Sequence, residues 1–322
     1  MDFRTFRVPA SLASALLCLA LTVPAPAQQH PNRGRGLDPE GTYDQLGDLD
    51  HVNLFNGAPV LTIPISQSYP LGGSLSYALT LTYSGNVWDY EDRVNDQGVL
   101  FTQALPNRRS NAGLGWLLSL GRMILPTDPT NAALGHWIYE SPDGADHVLY
   151  ATLHNGETML SDVFYTRDGT YLRFKTTPMT LEFPDGRIHT FDATGRLIKI
   201  ADRFNNYVNV TYPDATTWQL TDQHGRNHFV YFTSLVYDGP VKNMVDRVVV
   251  AAFNGTTAIY DLGYTTTMIS RYCDTDPQTR NGLTVPLLSS IALPDGSSAV
   301  RWLGSWNTRR PPGSSTRRSS RM

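Results

Sequence analysis

A chain of 322 residues with 41% hydrophobic content and a formal net charge of −3 has ample material for a core, which excludes wholesale disorder. The balanced charge supplies no basic domain, so no nucleic-acid partner is expected. The 16 Tyr, 12 Phe and 6 Trp, with frequent Gly and Pro, favour strands and turns over helices, and the fold class read from this is all-β.

The N-terminus has the composition of a secretory signal over residues 1–27. Arg4 and Arg7 precede an apolar stretch from Leu12 to Val23, and Ala25-Pro26-Ala27 offers a small-x-small cleavage site before Gln28. The apolar stretch is too short for a comfortable membrane span, so a secreted or cell-surface location is expected, with no stable membrane span. Once this segment is removed only Cys273 remains of the two cysteines, since Cys18 lies within it, and no internal disulfide can form. Residues 28–48 are polar and rich in Gly and Pro and read as a flexible or loosely docked leader. Within it, Asp38-Pro39-Glu40-Gly41 reads as a turn.

Residues 49–130 form an N-terminal β region. Val52 runs toward the Asn56-Gly57 turn signal, and Val60–Ile65 returns from it, with Pro64 favouring an edge or a bulge. Leu75, Tyr77, Leu79, Leu81 and Tyr83 alternate with small or polar residues and predict one half-buried strand over 75–83. Gly113 and Gly115 lead into Trp116, and they permit close packing around its ring. No phosphate-binding Lys-Ser/Thr follows, which excludes a nucleotide loop.

From residue 131 to 304 the turns multiply. Asp143-Gly144, Asp168-Gly169, Asp185-Gly186, Asp238-Gly239, Asn254-Gly255 and Asp295-Gly296 each punctuate short apolar or aromatic strands, predicting an array of β-hairpins. The stretch Phe191–Tyr212 is the most regular unit. Phe191-Asp192 precedes a turn at Gly195-Arg196, Leu197 begins a strand, Asp202 marks the next turn, and Tyr212 closes the return strand. Asp222, Gly225 and Arg226 repeat the same spacing in a second, degenerate copy.

This pattern resembles the YD repeat of the RHS (rearrangement hotspot) family over roughly residues 45–300. The resemblance implies β-hairpins spiralling into a hollow shell that, in complete members, encloses a C-terminal toxin or a polypeptide passed by partners. It also implies an association with carbohydrate. The implied partners are a cell-surface glycan, or a toxin or neighbouring shell segment absent from this chain. Residues 305–322 carry Arg309, Arg310, Arg317, Arg318 and Arg321 among Pro, Gly and Ser and read as a basic disordered tail. Such a tail suits contact with nucleic acid or acidic lipid, but a shifted or truncated reading frame is the favoured account, which makes the chain an incomplete fragment of a shell.

A search for chemistry yields no catalytic, cofactor or metal constellation. His224 and His228 straddle a Gly-containing turn, and His147 and His154 flank a strand. Asp274 and Asp276 beside Cys273 lack a calcium-loop pattern and suit an Asx-turn. Trp88, Trp137 and Trp218 fit either a sugar-contacting surface or cross-strand packing. The functional expectation is a non-enzymatic structural or interaction protein, the alternative being a carbohydrate-binding or glycoside-hydrolysing β protein.

Overall fold

The computed structural model describes residues 35–299, apart from 38, 40, 42, 46–48, 55, 95–96, 129–130, 132–134, 155 and 270–281. The expected signal sequence, most of the expected leader, Cys273 with its neighbouring aspartates, and the basic tail therefore lie outside the described residues.

The described residues form an all-β protein of antiparallel sheets. The N-terminal part contains β1 (Tyr43–Gln45), β2 (Asp50–Asn53), β3 (Pro59–Pro64), β4 (Tyr69–Gly72), β5 (Leu75–Tyr77), β6 (Thr80–Ser84), β7 (Trp88–Val94), β8 (Leu100–Pro106) and β9 (Trp116–Leu118). Five of these pair in the order β1-β2-β3-β6-β9, while β4-β5 and β7-β8 are separate ribbons. Pro64 sits at the end of the central strand β3, opposite Thr80, where no ladder bond is needed from it. The strand expected over 75–83 is divided in two. Its alternation persists, with Leu75, Leu79 and Leu81 all buried, but Leu79 offers its carbonyl to the N–H groups of Ile65 and Ser66. The chain thereby leaves the β4 ribbon and joins β3 and β9.

The remainder is one sequential meander. Its strands are β10 (Arg122–Ile124), β11 (Trp137–Glu140), β12 (Asp146–Tyr150), β13 (Val163–Thr166), β14 (Arg173–Thr176), β15 (Met179–Glu182), β16 (Ile188–Phe191) and β17 (Leu197–Ala201). They continue as β18 (Tyr207–Asp214), β19 (Thr217–Asp222), β20 (Asn227–Val236), β21 (Val241–Ala251), β22 (Thr257–Met268), β23 (Thr284–Ala292) and β24 (Ser298–Ala299). Each strand pairs with its sequence neighbours, giving a fifteen-stranded sheet. One side of the meander contributes Tyr139, Phe174, Leu181, Leu197, Val208, Leu220, Val230 and Val248 to the main core, against Tyr69, Leu71, Tyr77, Leu81, Trp116 and Leu118 of the N-terminal part.

The meander also curls. Met123 in its first strand donates its N–H to Gly195 O at 2.8 Å, and Arg122 and Arg196 form an antiparallel bridge. The β16–β17 turn thus occupies the outer edge of β10, covering backbone groups that an open edge would leave unpaired.

Candidate functional site

The turns of the meander explain its punctuation. At 141–145, 183–187, 192–196, 202–206, 222–226 and 293–297 the first N–H donates to the fifth carbonyl, and the fourth N–H to the first carbonyl. In each case the fourth residue has positive φ; it is Gly everywhere except Asn205, at φ 65. Only this fourth residue takes the left-handed conformation here, so these are wider turns than the two-residue kind in which both central residues do.

Aspartate serves this backbone from two places. In the third position, Asp185 and Asp295 accept the N–H of the residue two on, at 3.0 and 2.9 Å. In the first position Asp192, Asp202 and Asp222 do more. Asp192 Oδ1 accepts from Thr194 N–H at 2.9 Å and Arg196 N–H at 3.0 Å, and Oδ2 accepts from Arg196 Nε at 2.8 Å. Asp222 repeats this with His224 N–H, Arg226 N–H and Arg226 Nε. Asp202 does so with Phe204 and Asn206, the Asn206 amide replacing the arginine. Burial opposes the charge of Asp192 and Asp222, yet these donors outweigh it and hold both carboxyls below the ordinary range.

The repeat residues converge. The Arg196 guanidinium lies 4.4 Å from the Tyr212 ring centroid, and the Tyr212 hydroxyl donates to Leu197 O at 2.8 Å. Phe191 and Leu197 are buried beneath. In the second copy Arg226 stacks on Tyr69 at 5.2 Å and donates to Pro70 O at 2.7 Å. The N-terminal ribbon β4–β5 therefore supplies the tyrosine that the first unit provides from within itself.

A buried polar network fastens this junction. Ala251 N–H donates to His228 Nδ1 at 3.2 Å, which leaves the proton on Nε2 to be given to the Tyr77 oxygen at 2.6 Å. The Tyr77 hydroxyl donates onward to Asp222 Oδ2 at 3.0 Å. Burial lowers the His228 pKa to about 4, so the ring is neutral, and burial with the Asp222 charge raises that of Tyr77. Tyr69 packs on the His228 ring at 4.4 Å and donates to Ala251 O at 2.7 Å. Gln223 and His224 both hydrogen-bond Leu71 O. With His228 fully buried and every member partnered, the Asp–Tyr–His arrangement offers no reacting atom a place; what it does is clamp ribbon to sheet.

Further contacts hold the N-terminal part. Arg35 pairs with Asp89, and Leu37 N–H donates to Asp143 Oδ2 at 2.8 Å, so this end of the leader is docked. Gly113 abuts Leu288, where a Cβ would lie 2.6 Å from the backbone nitrogen, and Leu114 N–H donates to Pro286 O at 2.9 Å. Gly115 approaches Tyr83, whose ring lies 5.1 Å from that of Trp116.

The three tryptophans occupy separate places. Trp88 packs with Leu114, Leu235 and Tyr264 around a second core of Tyr237, Met244, Ile269 and Val285. Trp137 lies between Phe164 and Phe174, at 6.5 and 5.1 Å, and Trp218 between Tyr212 and Phe232, at 6.2 and 4.8 Å. A different aromatic surface exists around an open groove of ≈ 310 Å³ lined by Tyr165, Tyr171, Phe183 and Pro184, with Arg173 and Glu182 paired at its side. Tyr171 is 73% exposed and has φ 55, an unfavourable conformation for a bulky residue.

Among the described residues no group of three His, Cys, Asp or Glu converges as metal ligands would, and no helix is long and apolar enough to cross a membrane. His147 Nδ1 pairs with Asp168 at 2.7 Å, while His154 pairs with Glu157 on the surface. Arg109 joins Glu140 and Asp146, an ionic group to which no sequence motif pointed. No protein-family model matches the chain, and no curated protein matches it significantly.

Proposed function

We propose that this chain is a secreted, non-enzymatic structural and interaction protein of the RHS/YD-repeat type. In this reading the meander is the first part of a β shell, and the N-terminal part is the plug seated in it; complete relatives would enclose a C-terminal toxin. The observation that carries the reading is the shared turn chemistry of the junction: Arg226 stacks on the plug's Tyr69 as Arg196 stacks on Tyr212 within the repeat. Extending the coding sequence beyond codon 300 in each reading frame tests it. YD repeats downstream, with target-cell killing by the extended product, are expected; the absence of such repeats in every frame sinks it. Sequencing the exported protein should begin at Gln28.

A glycan-binding reading draws on the groove of Tyr165, Tyr171 and Phe183, where an exposed ring beside a charged pair suits a sugar face. Binding to a glycan array that is lost in Tyr171→Ala, and retained in Trp137→Phe, is the expected pattern. An array with no signal above an unrelated protein overturns it.

A further inference from the structure

Between the docked leader, β6, the 107–110 loop and the first Asp-Gly turn of the meander lies a small cavity of ≈ 20 Å³. That is room for a single small occupant, a water or a monatomic ion. Its walls include Arg35, Thr82, Ser84, Arg109 and Ser110. Two of its wall residues carry buried polar atoms without a hydrogen-bond partner, Arg35 Nε and Thr82 Oγ1. Unpartnered buried donors are costly, so an occupant that accepts from them is favoured. Ser84 Oγ accepts from Asn86 N–H, which leaves its hydroxyl proton to be placed, whereas the Ser110 hydroxyl is already hydrogen-bonded to Tyr237. The one carboxylate in the wall, Asp143, is engaged by Leu37 N–H and the Ser141 hydroxyl.

We propose that this cavity binds one monovalent anion of chloride size, held by Arg35 Nε and Thr82 Oγ1 and set between the Arg35 and Arg109 guanidiniums. The carboxylates near these cations are already used: Asp89 pairs with Arg35, and Glu140 and Asp146 with Arg109. Burial, and next the proximity of Arg109, lower the Arg35 pKa to about 10, with Asp146 and Glu140 pulling it the other way. An anion between the two relieves that repulsion. Its consequence is that the leader is latched by a diffusible ion, so that docking of Arg35–Leu37 follows the halide concentration.

Thermal unfolding of the full chain in sodium chloride and in sodium gluconate at equal ionic strength tests this, together with anomalous diffraction from crystals soaked in bromide. Expected are a bromide peak in the cavity and a saturable rise in Tm of roughly 2–4 °C in chloride, absent in the near-isosteric Thr82→Val. Superimposable melting curves, a chloride shift that persists in Thr82→Val, or a cavity without a bromide peak overturns the proposal in favour of ordered water. The diffraction arm decides the matter on the unaltered protein even if the variant folds poorly.

Discussion

Replacing Gly195 with alanine tests the curl of the meander directly. Gly195 has φ 83, and a Cβ there would lie 1.9 Å from Met123 O, the backbone of the first strand. Three costs accumulate: about 1–2 kcal/mol for a left-handed non-glycine residue, about 1 kcal/mol for the Met123–Gly195 hydrogen bond, and about 1–3 kcal/mol for displaced backbone. Their sum is about 3–6 kcal/mol for Gly195→Ala. Gly225 provides the control, since it occupies the same turn position with φ 76 and nothing within 4 Å of its Cβ site. Gly225→Ala should therefore cost only the conformational share, about 1–2 kcal/mol. Urea denaturation of both variants, read by tyrosine and tryptophan fluorescence, gives the comparison. Equal losses would refute the argument that the β16–β17 turn seals the edge of β10.

Other perturbations probe the junction and the turns. Tyr77→Phe leaves the His228 Nε2 proton and one Asp222 lone pair unanswered in the core, and should cost about 1–3 kcal/mol in urea unfolding, with faster amide exchange in β4–β5. His228 takes up a proton near its ordinary 6.5 when unfolded but only near about 4 when folded. Its contribution to stability is thus intact above the unfolded value and falls as pH drops from 6.5 to about 4, by about 3 kcal/mol in total; His228→Gln should flatten that part of the urea-midpoint profile. Asn205→Gly, at φ 65, should gain about 0.5 kcal/mol in melting experiments. Tyr171→Gly, at φ 55, should gain about 1 kcal/mol while removing the groove's exposed ring.

The turn punctuation was legible because a left-handed residue and an aspartate that accepts neighbouring N–H groups are both written locally. Asp192, Gly195 and Arg196 could be read together from one short stretch, and the side chains do meet. What the stretch omits is why Gly195 matters more than Gly225, since the reason is Met123 in a distant strand. The same limit applies to Leu75–Tyr83. Its alternation placed the buried side chains correctly, but the change of partner at Leu79 depends on Ile65 and Ser66, to which no periodicity refers. Tyr77 read as one more apolar position in that alternation. Only the fold reveals that its hydroxyl joins Asp222 and His228, which lie 145 and 151 residues away. The Arg109–Glu140–Asp146 group was invisible for the same reason, being assembled from a loop and two strands.

The clamp between ribbon and sheet also sets an order of events in time. Tyr69 must wait for Ala251, 182 residues further along, before its hydroxyl has an acceptor. The part of the chain synthesised first is therefore completed late, after the meander has laid down most of its strands. Contacts of such long range slow folding into the millisecond-to-second regime or beyond, because loop closure must precede any gain from the contact. Until then Tyr69, Leu71 and Tyr77 stay without the strands they pack against, so the nascent ribbon is the segment most in need of shielding from other chains.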